Sequence, residues 1–155
     1  CSPCGRKPVT AEIRPASPAD CPAAAALARL LWPEHTAEEL EAELAPLLAS
    51  PEAAVFLAWE QGRPLGFAQC QLRRDYVEGT STSPVGYLEG IYVREENRGR
   101  GAARALLSAC EAWAAGQGCR EFASDCELEN SGSLRFHLAS GFREANRIIC
   151  FCKKI

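Results

Sequence analysis

Apolar positions along this chain follow two rhythms, and the changes from one to the other mark out its elements. Residues 9–14 (VTAEIR) alternate weakly, which predicts a first strand. Ser17, Pro18, Ala19 and Asp20 form a helix-start signal, and an alanine- and leucine-rich helix is expected over 22–31, closed by Trp32 and Pro33. Thr36 and Glu39 have the spacing of a capping box, which opens a second helix through about Leu48. Pro46 falls inside that pattern and is expected to end or kink it. Apolar runs at 53–60 and 65–74, joined by the turn Gln61-Gly62-Arg63-Pro64, predict a hairpin. Residues 75–84 (DYVEGTSTSP) have no periodicity and many turn formers, so an exposed loop is expected.

The second half is read in the same way. It has a strand over 87–93, then an amphipathic helix over 101–116 with Ala102, Leu106, Ala109 and Trp113 on one face. A short strand at 121–125, a helix at 130–140 and a last apolar strand at 148–153 follow, with a further strand suggested near 142–144. The order β-α-α-β-β-β-α-β-α-β predicts an α+β chain. It would have a mixed sheet with helices on both faces and one β-α-β crossover in its second half. No internal repeat or low-complexity linker interrupts it, so residues 1–155 are read as one domain, with no role assigned to residues 1–8.

Composition narrows the picture without redirecting it. The 155 residues are 47% hydrophobic and 24% charged, ordinary for a globular chain large enough for a core. A net charge of -3 without a long basic block argues against nonspecific nucleic-acid binding. No apolar run approaches the roughly 20 residues of a membrane span, and the first ten residues lack the core of an export signal. The chain has no Met, even at position 1, which implies a processed or truncated start. Nine cysteines without an export signal are read as free thiols in a reducing cytoplasm, serving as small hydrophobes. A zinc site pairing Cys1 and Cys4 with Cys150 and Cys152 lacks a second C-x-x-C and a nearby His, so no metal is expected. Cys126 sits among acidic residues, which would raise its thiol pKa rather than activate it.

The sharpest local chemistry is Arg98-Gly99-Arg100-Gly101-Ala102-Ala103, between the 87–93 strand and the following helix. Small residues let backbone N–H groups approach a diphosphate, the helix start adds its positive end, and Arg98 and Arg100 add charge-assisted bonds. The pattern is neither a Walker loop nor a dinucleotide fingerprint. Taken alone, it also fits a plain helix start with flexible glycines.

Arg98-x-x-Gly101-x-Ala103 resembles the cofactor motif of the GNAT superfamily of acetyl-CoA-dependent N-acetyltransferases. Asn130-x-x-Ser133, followed by Phe136-His137-x-x-x-Gly141-Phe142, is similar to that family's next motif. A narrower resemblance, to aminoglycoside 6'-N-acetyltransferases, rests on residues 31–35 (LWPEH), 75–80 (DYVEGT), Ser83-Pro84, 88–91 (LEGI), 122–125 (FASD) and 144–149 (EANRII). The resemblance implies a mixed, mostly antiparallel sheet of six to seven strands. It also implies acetyl-CoA as co-substrate, and direct attack of the 6'-amine of an aminoglycoside on the thioester, conferring resistance.

By the same resemblance, Ile91, Tyr92 and Val93 offer backbone groups to pantetheine. Arg98, Gly99, Arg100, Gly101, Ala102 and Ala103 hold the diphosphate, and Asn130 and Ser133 lie near the cofactor. Gly90 suggests a bulge that frees strand groups. Asp125 is expected to hold the reacting ammonium and, directly or through water, to accept its proton, with a helix N-cap or surface acid as the plain alternative; Glu89 is expected to contact substrate or act as a base through water, although a buried acid paired with an arginine fits Glu89 equally. His137 occupies the slot where many family members place a Tyr that protonates the leaving thiolate; it is expected to donate a proton or hydrogen bond there, and a helix His satisfied structurally is the plain alternative. Trp32, His35, Tyr76, Glu78, Glu89, Asp125 and Glu127 are expected to bind the cationic sugar. The resemblance further implies a homodimer in which the 75–84 loop, through Tyr76 and Glu78, serves the neighbour's cleft. Acetylation of another polyamine or a protein N-terminus, and a non-catalytic acyl-CoA sensor, stay open as alternatives.

Overall fold

In the computed structural model, which describes residues 10–155, the apolar runs pair into one five-stranded sheet. Its strands are β1 (Glu12–Pro15), β2 (Ala53–Glu60), β3 (Arg63–Arg73), β4 (Val85–Val93) and β5 (Phe122–Ser124), side by side in chain order. β1 to β4 are antiparallel, and β4 and β5 are parallel, as the crossover requires. The β2–β3 hairpin turns on Gln61 and Gly62, both at positive φ (51° and 73°), the geometry that matches strand twist.

Helices cover both faces. α1 (Cys21–Leu31) and α2 (Ala37–Ala49) bury Ala24, Leu27, Leu40 and Leu44 against Val55, Leu57 and Phe67 on one face. α3 (Ala102–Gly116) buries Leu106, Leu107 and Cys110 against Ala68, Cys70 and Leu88 on the other. α4 (Ser131–Ala139) adds Phe136 to that second core. The Thr36 and Glu39 capping box forms with both bonds at 3.1 Å. α2 runs through Pro46 and ends three residues on, so the proline sits in the last turn rather than terminating the helix.

Three expectations are corrected. The sheet has five strands rather than six to seven. Neither 142–144 nor 148–153 forms a strand, because no described residue offers that segment a pairing partner. Residues 143–155 instead form an exposed arm, with Ile149 80% and Phe151 89% accessible. The cysteines divide: Cys21, Cys70 and Cys110 are buried, whereas Cys126, Cys150 and Cys152 are exposed. The first strand begins at Glu12; Val9, Cys1 and Cys4, which entered earlier expectations, lie outside the described residues.

The 75–84 loop has more structure than its composition suggests. Val77 is buried with Val85 and Tyr87. The Glu121 carboxylate accepts hydrogen bonds from Ser81 N (2.9 Å), Thr82 N (2.8 Å) and Thr82 Oγ1 (2.5 Å). These bonds, that from the Thr82 hydroxyl first, hold the Glu121 pKa below its ordinary value.

Candidate active site

The loop after β4 is built for an anion. From Val93 the chain makes a 3-10 turn over Glu95–Asn97 and reverses at Gly99 and Gly101, whose φ angles are 74° and 90°. This left-handed region costs an L residue about 1–2 kcal/mol, which explains glycine there. Gly101 caps α3, whose first turn contains no acid, so that turn supplies no counter-charge to its own N–H groups and positive helix end. A hollow of about 240 Å³ lies here, lined by Val93, Asn97, Arg98, Gly99, Gly101, Ala102, Ala103, Arg104 and Phe136. Arg98 donates through Nε to the Val93 carbonyl (2.9 Å), with its guanidinium 5.2 Å from the centre of the Tyr92 ring. The Arg100 guanidinium is turned to Glu60 (3.1 Å), in a pair that is only about one-fifth exposed.

Along β4 the sheet comes apart. β5 pairs with it only at Gly86, Tyr87 and Leu88, the last opposite Ser124. Beyond that fork β4 continues to Val93, so Ile91, Tyr92 and Val93 lie along an edge that no described strand covers. On the other side, Gln69 faces Gly90 and Cys70 faces Leu88, which leaves Glu89 as the extra residue of a bulge. The bulge was expected at Gly90; its neighbour carries it. Gly90 is glycine for a different reason, since a Cβ there would sit 2.7 Å from the Trp32 ring.

On the α1/α2 side of the bulge lies a second hollow, also about 240 Å³. Trp32, His35, Leu40, Glu43, Gln69 and Glu89 line it. Trp32 packs edge-on to Phe67 (6.1 Å), and His35 stands between Glu34 (3.7 Å) and Glu39 (3.4 Å). Glu89 has the arginine partner that a shielded acid requires: Arg73 binds it through Nη2 to both oxygens (2.9 and 3.1 Å) and through Nε (3.2 Å). The Arg73 guanidinium lies 3.4 Å over the Tyr87 ring, and Tyr87 Oη donates to Asp125 Oδ2. Burial first, then the bond to Asp125, pushes the Tyr87 phenol well above its ordinary pKa, so it stays a donor. A polar chain therefore runs from Glu89 to Asp125.

Beside the fork, His137 is bonded through both ring nitrogens. Its Nδ1 lies 2.7 Å from the Ser133 carbonyl and its Nε2 2.8 Å from Ser124 Oγ. Asn130 caps α4, accepting from Ser133 N at 3.0 Å. Thus Trp32, His35 and Glu89 converge on one hollow, Arg98, Gly99, Gly101, Ala102 and Ala103 on the other, and Asp125 and His137 stand at β5. Tyr76, Glu78 and Glu127 are exposed and line neither hollow. Sequence reasoning passed over Glu43, Gln69, Arg73, Tyr87 and Ser124. Of these only Glu43 carried a signal, one helical turn after Glu39, since the places of the others depend on elements far apart in the sequence.

Known proteins resemble this chain over most of its length. The family model described as the Acetyltransferase (GNAT) family matches residues 24–142. The aminoglycoside N(6')-acetyltransferase type 1 of Stenotrophomonas maltophilia is 48% identical over 140 residues, 90% of each chain. That of Serratia marcescens is 42% identical, over 84% of this chain and 90% of its own. Among solved structures, AAC(6')-Iy in complex with the bisubstrate analog CoA-S-monomethyl-acetylneamine superposes with a TM-score of 0.90 at 37% identity, covering 95% of this chain and all of that one. The 6'-N-acetyltransferase AAC(6')-Ih from Acinetobacter baumannii gives 0.87 at 38% identity, covering 94% and 99%. By fold, by motif and by these similarities, the chain belongs to the GNAT acetyltransferase family, on the branch of the aminoglycoside N(6')-acetyltransferases.

Proposed function

We infer that the chain transfers the acetyl group of acetyl-CoA to the 6'-amine of aminoglycosides, and so confers resistance. The observation that carries this reading is the fork in the sheet. The strand that bounds it, β4, contributes Val93 to a hollow also lined by Arg98, Gly99, Gly101 and Arg104, and Glu89 to one also lined by Glu43 and the Trp32 ring. The first suits a diphosphate. The second suits a cationic sugar, which two carboxylates attract and an aromatic face packs against. The names of the relatives, and the bisubstrate analog bound by one of them, support the same pairing of co-substrate and acceptor.

In this reading the amine attacks the thioester directly, with both substrates bound. Glu89 serves as a fixed negative wall of the cleft rather than as a base, because Arg73 occupies both of its oxygens. Asp125 holds the ammonium, its own orientation set by Tyr87. Edge groups of β4 between Glu89 and Val93 take the pantetheine amides by strand addition, and an N–H there meets the carbonyl oxygen as charge grows. A homodimer completes the proposal. Tyr76, 77% exposed, and Glu78 line neither hollow of their own chain and serve the neighbour's, while the apolar arm is buried between the copies.

The test is release of CoA thiol from acetyl-CoA with kanamycin, and with an analogue that has hydroxyl in place of the 6'-amine. Turnover is expected with the first alone. Equal turnover on both removes the 6'-amine as acceptor, turnover only on other amines removes the substrate class, and CoA binding without any turnover identifies a sensor.

A further inference from the structure

His137 reaches the fork only through Ser124. A backbone carbonyl can only accept, so the 2.7 Å contact with the Ser133 carbonyl places the ring hydrogen of a neutral His137 on Nδ1. Nε2 is then an acceptor, and Ser124 Oγ, 2.8 Å away, donates its hydrogen to it. The Ser124 hydroxyl has one other contact, the Asp125 carbonyl at 3.5 Å, at the limit of a bond. The imidazole is held by ring contacts with Phe136 (5.8 Å) and Phe142 (5.1 Å) and by Ser133 Oγ at 3.3 Å from Nδ1. With its hydrogen on His137, Ser124 Oγ has lone pairs left to accept another. It stands opposite Leu88 at the last paired position of β5, beside Asp125 and one residue short of the Glu89 bulge.

We propose that Ser124 is a catalytic residue of the acetyl transfer, and that with His137 behind it Ser124 carries a proton from the attacking amine to the leaving sulfur. The inference rests on the acetyltransferase reading. The ammonium sheds one proton to solvent when it becomes a nucleophile beside Asp125. As the C–N bond forms, the nitrogen gives a second proton to Ser124 Oγ, whose own hydrogen passes to His137 Nε2. As the C–S bond breaks, the imidazolium returns that proton through Ser124 Oγ to the thiolate. Ser124 and His137 end as they began, and the products are the amide and CoA thiol. An imidazole is a far better base near neutrality than an ordinary carboxylate, and its position assigns Asp125 to holding the ammonium.

The experiment compares the wild-type chain with Ser124→Ala, Ser124→Thr, His137→Gln and the Ser124→Ala/His137→Gln pair. Ser124→Ala is expected to lower kcat about 100-fold. KM for both substrates and calorimetric CoA affinity should stay within about twofold of wild type, and Ser124→Thr should recover most of the rate. The double variant should be no slower than the slower single, because the two residues act as a unit. In ligand-free wild type, long-range 15N–1H NMR should show His137 protonated at Nδ1 and bare at Nε2. A Ser124→Ala kcat within twofold of wild type, or an Nε2-protonated tautomer, overturns the shuttle. Should Ser124→Ala not fold, the wild-type tautomer and the Ser124→Thr rate decide. Wild-type turnover on amines other than aminoglycosides sinks the substrate reading alone, since the variant ratios on that amine still judge Ser124. No turnover on any amine overturns both.

Discussion

Asp125 is an exposed carboxylate, and what distinguishes it from other surface acids is its bond from Tyr87. The acid was legible in the sequence, because it ends a short strand in a segment that resembles the family. Its partner was not, since Tyr87 lies 38 residues earlier on another strand. Glu89 shows the same division. An acid inside an apolar strand has to find a cation, but that the cation is Arg73 depends on the β3–β4 register. If Asp125 holds the ammonium, Asp125→Asn should lower kcat/KM for the aminoglycoside about 30-fold, the ~2 kcal/mol of a hydrogen bond to a charged group. Tyr87→Phe, which only loosens that carboxylate, should cost about 1 kcal/mol, or fivefold. Acetyl-CoA affinity should hold in both. Steady-state kinetics with titration calorimetry checks this, and an unchanged Asp125→Asn rate removes Asp125 from the site.

At the scale of elements, strands and helices with strong local signals formed close to where the pattern placed them. Residues 53–60 are an apolar run between turn formers, and the second helix starts at the capping box. The 148–153 run fails as a strand because periodicity describes one side of a ladder and cannot supply the other. The reverse holds for 75–84, whose turn-rich sequence hides an anchor in Glu121, on the far side of α3 in sequence. That anchor makes a prediction with a definite sign. The folded pKa of Glu121 is lowered, so its contribution is present above the ordinary carboxylate range and is lost as pH falls through the folded value. Wild type should therefore melt above Glu121→Gln near about pH 7, with the gap closing toward about pH 3. Thermal melts across that range read it, and a gap that widens in acid would contradict the assignment.

The molecule as a whole is mildly acidic, at -3, and ends in an arm that leaves Ile148, Ile149, Phe151 and Ile155 exposed. The arm stays by its own body as far as Ala145, whose Cβ lies against Gly79 of the 75–84 loop. Four large apolar side chains in water favour a covering surface, each losing about 1.5–3 kcal/mol of burial without one. If a second copy supplies it, the intact chain should sediment as a dimer and a chain ending at Arg147 as a monomer. A monomeric intact chain, or a truncated one that still dimerises, would refute that assembly. Where the one acetyl group goes is read from the NMR spectrum of the product from acetyl-CoA and kanamycin. A single acetyl group is expected on the 6'-nitrogen, with the neighbouring 6'-methylene protons shifted downfield as the amine becomes an amide. An acetyl group on any other nitrogen, or no acetylated product, would contradict 6'-acetylation.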